Sequence, residues 1–137
     1  MTTATVLTLH LCVLIGLYLV AAGVGGLTGH ARWDELIAEI ERSPGLLYLL
    51  GAVAFALGGL IVMIHNRWTD PLACAVSFIG WAALTEGLVL LAHPPAWLAL
   101  ARPMLRHLRA VAVAAILLGA LFLLAGLAGR ADPVITI

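Results

Sequence analysis

An all-α membrane protein is the fold class that this sequence predicts, with four transmembrane helices and a short interfacial amphipathic helix between the first two. Three observations carry the prediction. Hydrophobic residues make up 64% of the 137 residues and charged residues 10%, the mean hydropathy is +1.13, and the chain contains four nearly uncharged runs of roughly 20 residues, the length that crosses about 30 Å of hydrocarbon at about 1.5 Å per residue. A water-soluble domain, with about a quarter of its residues charged, could not hide this much apolar surface. The length suits one domain.

The first run covers about Thr5–Leu27. Its leader, Met1 to Ala4, has no Arg or Lys, and the run exceeds the apolar core of about 7–15 residues in a signal peptide, so a retained span is expected. Arg32–Ser43 follows, with Trp33, Leu36, Ile37 and Ile40 on one helical face and Asp34, Glu35, Glu39 and Glu41 elsewhere. That pattern predicts an amphipathic helix in the membrane interface. Its acidic face would be repelled by anionic lipid and is expected to meet Arg102, Arg106 and Arg109.

Ser43-Pro44 and Asp70-Pro71 each supply an N-cap followed by a proline at the first helical position. They open the second run, about Leu46–Ile64, and the third, about Leu72–Ala92. Only His65 to Asp70 separate these two, which makes them antiparallel neighbours. His93–Arg109 reads as a loop, because it carries Pro94, Pro95 and Pro103. Trp97, Leu98 and Leu100 are available there to dip into the interface. The fourth run is about Ala110–Ala128. Arg32, Arg42, Arg102, Arg106 and Arg109 lie on one side of the membrane, against Arg67 and Arg130 on the other. Basic loops are retained in the cytoplasm, so both termini are expected on the non-cytoplasmic side.

Each span contains two glycines seven residues apart: Gly16/Gly23, Gly51/Gly58, Gly80/Gly87 and Gly119/Gly126. Seven residues is close to two turns, so each pair forms a small-residue strip that lets another backbone come near. The first and fourth spans also look alike around their glycines and run in opposite directions, as an inverted repeat would, although low-complexity apolar sequence produces such likeness by chance.

The formal net charge is zero and all the basic residues are Arg, without a basic run, so nucleic acid is not an expected partner. Cys12 and Cys74 lack metal-type spacing and read as small buried hydrophobes. The chain has no phosphate-binding loop, no His-Glu-x-x-His helix and no nucleophile elbow, and its serines are Ser43 and Ser77; no enzyme activity is expected. Glu86 is the one permanently charged type inside the spans, roughly 9–10 Å below the cytoplasmic surface by helical rise. There it needs a partner or must become neutral, and Tyr48, Arg106 and Arg109 are candidates. His10 and His65 both fall toward the non-cytoplasmic side and are of a type that binds haem iron, copper or zinc. No second pair of ligands completes such a site, so no cofactor is expected. His30, His93 and His107 lie at loop boundaries, where a histidine needs no function.

The stretch Ile64-His65-Asn66-Arg67-Trp68, then Phe78-Ile79-Gly80-Trp81 and Glu86-Gly87, resembles a widespread group of small four-helix bacterial inner-membrane proteins of unassigned function. They are similar in a first span, an acidic amphipathic segment, a His-Asn-x-Trp turn and a Gly-Trp pair. The likeness extends over most of residues 10–95, and a lysine is common in the group where this chain has Glu86. The resemblance implies a bacterial inner-membrane location and the architecture above, without implying an activity. In physical terms Asn66 can end the second helix and Trp68 can anchor in the interface.

Two functions suit these features best, ahead of a haem or quinone subunit. One is a non-enzymatic scaffold or accessory subunit that works through helix contacts in a homo-oligomer or a larger membrane complex. The other is a conductor of protons, ions or a small solute, with Glu86 in the path.

Overall fold

The computed structural model describes residues 6–129, which are helical apart from short joints. The helices are α1 (Val6–Thr28), α2 (His30–Arg42), α3 (Pro44–Ile64), α4 (Pro71–Ala92), α5 (Pro94–Arg106) and α6 (Leu108–Ala128). Four of them, α1, α3, α4 and α6, have 23, 21, 22 and 21 residues and are apolar enough to cross a membrane. The protein is therefore an all-α, multi-pass membrane protein.

Local chemistry sets the boundaries. The Ser43 Oγ accepts the Leu46 N–H at 3.3 Å, and Pro44 opens α3. At the start of α4 the Asp70 Oδ1 accepts the Ala73 N–H at 2.6 Å, followed by Pro71. Both caps satisfy a donor that has no partner within its helix. The segment expected to be a loop after α4 is instead the helix α5. Pro94 and Pro95 occupy its first turn, where a missing N–H costs nothing. Pro103 falls in its last turn, so the break follows at His107, between α5 and α6. Prolines that read as breakers are here a helix start and a helix end.

The spanning helices associate as two antiparallel pairs, α1 with α6 and α3 with α4. Lipid tails are as apolar as leucine, so close van der Waals contact has to hold these pairs. The eight glycines noted in the sequence lie at the contacts. A Cβ on Gly16 would meet the Gly119 carbonyl oxygen at 2.7 Å, and a Cβ on Gly119 would meet that of Gly16 at 2.8 Å. Farther along, a Cβ added to Gly23 would meet the Ala112 carbonyl at 2.7 Å, and one on Gly126 would meet that of Leu9 at 2.9 Å. In the second pair, added Cβ atoms on Gly58 and Gly87 would run into the backbone of Leu84 and of Phe55. Cβ atoms added to Gly51 and Gly80 would meet the side chains of Leu90 and Ile61 at 2.9 and 2.6 Å.

The two pairs touch mainly where α1 meets α4. A small core lies there, made of Cys12, Val76 and Phe122 with Leu11, Ile15, Ile61 and others around it. These residues belong to the half of the bundle that is remote from α2 and α5. On the other side, α5 packs on α4, and apolar residues of α2 face α4 across a groove.

The glycine contacts predict a sharp contrast between adjacent positions. Gly58→Ala forces α3 off the α4 backbone and is expected to cost about 1–3 kcal/mol, the range for overpacking. Gly59→Ala meets only the Leu84 Cδ1 at 3.7 Å and is expected to be neutral or up to about 1 kcal/mol stabilising. Unfolding in mixed micelles with increasing SDS measures both.

Candidate functional site

The sequence anomalies resolve into two sites, one on each side of the membrane. The first is built around the joint between α3 and α4. His65 ends α3 and is completely buried. Its Nε2 is 2.7 Å from the Thr8 Oγ1 of α1, and its Nδ1 is 3.3 Å from the Ser77 Oγ of α4. The Ser77 hydroxyl also accepts the Arg67 N–H at 3.1 Å and donates to the Arg67 carbonyl at 2.8 Å. The same hydroxyl lies 3.2 Å from the His65 carbonyl, so Ser77 serves the imidazole and the backbone of residues 65 and 67 together. Ser77 is six residues beyond the first residue of α4, about 9 Å by helical rise. The non-helical backbone of residues 65–67 therefore dips to that depth, which membranes allow only where protein supplies the hydrogen bonds.

Asn66 continues the cluster outward. Its Oδ1 accepts from the Trp68 indole at 2.9 Å and from the Trp81 indole at 3.4 Å. The His-Asn-x-Trp turn and the Gly-Trp pair are thus parts of one structure, with Asn66 between the two rings. Asn66 lies just past the helix end, whereas His65 is the capping residue of α3. His10 does not join His65. It is exposed, and its Nδ1–H donates to the Val6 carbonyl of its own helix at 2.8 Å. Thr8, two residues earlier and so about 200° around the helix, holds the facing position. Among the described residues no group of three or more His, Cys, Asp or Glu could hold a metal ion.

The second site is a groove of about 720 Å³ on the face of α4 beneath α2 and α5. Trp33, Leu36, Ile37 and Ile40 of α2 form one wall; Trp97, Leu98 and Leu105 of α5 form another. Between them, α4 contributes Phe78, Trp81, Thr85 and Glu86. The Glu86 carboxyl is exposed to the groove and lies outside the contact between the two helix pairs. Its partner is the Trp97 indole, which donates to Oε1 at 2.9 Å, in place of the Tyr48, Arg106 or Arg109 that charge and sequence position offered. Tyr48 is 67% exposed. Among the described residues, Oε2 has no hydrogen-bond donor. Across the rim, the Arg102 Nε reaches the Glu41 Oε1 at 3.4 Å, joining α5 to the acidic face of α2. Arg106 and Arg109 form no such pair among the described residues.

Sequence reasoning gave Thr8 and Ser77 no role, and gave Trp97 only that of an interfacial residue. Each has a signal after the fact: an isolated hydroxyl in an apolar run for the first two, and an indole on the apolar face of an unrecognised helix for the third.

Comparison with models of known families, with curated proteins and with solved structures gives no match.

The two histidines lead to opposite expectations. Ser77→Ala removes the hydroxyl shared by His65 and the Arg67 backbone, and should destabilise the protein by about 1–3 kcal/mol, the cost of orphaning a buried polar group. His10→Ala should change stability by no more than about 0.5 kcal/mol. Thermal unfolding of the solubilised protein distinguishes them.

Proposed function

We propose that the protein is a non-enzymatic membrane scaffold or accessory subunit, acting through helix contacts in a homo-oligomer or a larger membrane complex. The supporting observation is the open arrangement of the spanning helices. In the membrane-crossing region α3 and α6 each have one main partner, α4 and α1 respectively. The opposite side of α6 carries Leu117, Leu121 and Leu124, which are 67%, 63% and 66% exposed. α3 likewise turns Leu57, Leu60 and Met63 outward. Outside the spans, the described chain consists of α2, α5 and short joints; α5 packs on α4, and α2 packs on α1 and α3. Such a molecule offers membrane-embedded faces as its main recognition surface.

In this reading the chain sits in a bacterial inner membrane, with α2 and α5 at the cytoplasmic surface and both termini on the far side. The asymmetry of arginines supports that orientation, and the resemblance to small inner-membrane proteins supports the location.

Native mass spectrometry of protein released from lipid nanodiscs tests the proposal. The expected result is a defined assembly of several copies or a stoichiometric complex with another membrane protein. Leu121→Trp on the outer face of α6 should move the population toward smaller species. A lone monomer in both nanodiscs and mild detergent would overturn the reading.

A further inference from the structure

The groove beneath α2 and α5 has a chemistry that helix packing does not use. Its volume, about 720 Å³, is within the range of about 300–1,000 Å³ typical of small-molecule sites. Three of the four tryptophans of the chain, Trp33, Trp81 and Trp97, line it, and each comes from a different helix. Phe78 adds a fourth ring. Aromatic faces attract cations through their quadrupoles, and more strongly where water is excluded.

Glu86 supplies the opposite charge. It is six residues from the end of α4 at Ala92, hence about 9 Å below that end. One oxygen holds the Trp97 N–H, and the other faces the groove without a donor among the described residues. An ionised carboxylate at this depth is costly unless a cation accompanies it. The guanidinium in the lining, Arg102, sits at the rim with its Nε directed to Glu41.

From these features we infer that the groove binds a hydrophobic organic cation: an ammonium or phosphonium centre carried directly on an aromatic or aliphatic body. The charge lies against Glu86 and the body lies among the tryptophans. The occupant is a free amphiphile rather than a phospholipid. In a phospholipid the ammonium lies outward of the phosphate, so bringing it to Glu86 would drag the phosphate into hydrocarbon. A neutral apolar molecule would leave the second carboxyl oxygen unpaired, and an anion would be repelled by it. The site is complete within one chain and does not depend on the scaffold reading.

The test uses the full chain in phosphatidylcholine nanodiscs, titrated with tetraphenylphosphonium and followed by tryptophan fluorescence and equilibrium dialysis. Saturable binding of one cation per chain is expected, above the partitioning into empty nanodiscs. Tetraphenylborate, of the same shape and opposite charge, should not saturate. Glu86→Gln should weaken cation binding at least tenfold, while His10→Ala, on the far side of the membrane, should bind as the unmodified chain does. Equal affinity in Glu86→Gln, equal binding of the borate, or uptake no greater than that of empty nanodiscs would each overturn the inference. So would displacement of the cation by phosphatidylethanolamine at bilayer concentrations, which would assign the groove to a lipid amine. The comparison of the two ions needs no variant and stands even if Glu86→Gln fails to fold.

Discussion

Close approach of one helix backbone to another is the constraint on which the rest of this molecule depends. In lipid there is no escape from water to press helices together, so the contact itself must be good. Glycine removes the one side chain that would hold the backbones apart, and at Gly16 and Gly119 each backbone fills the space where the other's Cβ would stand. The strips divide the protein into two tight pairs joined more loosely at the α1–α4 corner. That division explains why the four spans do not form an evenly packed bundle, and why α4 keeps a face for α2 and α5.

Polar groups inside the bilayer meet two different fates here. His65, Thr8 and Ser77 satisfy one another and the backbone of the α3–α4 joint, with exposures of 0%, 1% and 0%. Such a closed network fixes the geometry of the joint and ties α1 to α4. Glu86 has a single indole donor and an open side. Two sites of similar anomaly in the sequence therefore differ in kind: the first is a closed fastener, and the second is open to its surroundings.

Much of the fold was legible because its causes are local. The four spans follow from apolar length, and the starts of α3 and α4 follow from Ser43-Pro44 and Asp70-Pro71, whose capping needs no distant partner. The acidic amphipathic segment showed its period directly. α5 was hidden because proline has two readings, and only the three-dimensional context reveals that Pro94, Pro95 and Pro103 sit at the ends of a helix. The glycine spacing marked faces without saying which helices would meet, since the choice of α6 for α1 is a long-range fact. The site was less legible for the same reason. Glu86 stood out as a charge in lipid, yet its donor comes from the helix that sequence reading had taken for a loop. His10 and His65 fall toward the same side of the membrane, but helical phase turned Thr8 inward instead.

The pairing of α1 with α6 joins the two of the four spans that are farthest apart in sequence, and this has a consequence for biogenesis. Synthesis at about 5–20 residues per second leaves roughly 5–20 s between completion of α1 and of α6. Throughout that interval the glycine strip of α1 has no mate, whereas α3 can close on α4 as soon as their hairpin has left the ribosome. A chain interrupted before α6 would thus enter the bilayer holding one finished hairpin and one orphan, and membrane quality-control proteases could tell it from the uninterrupted chain by the unpaired α1 alone.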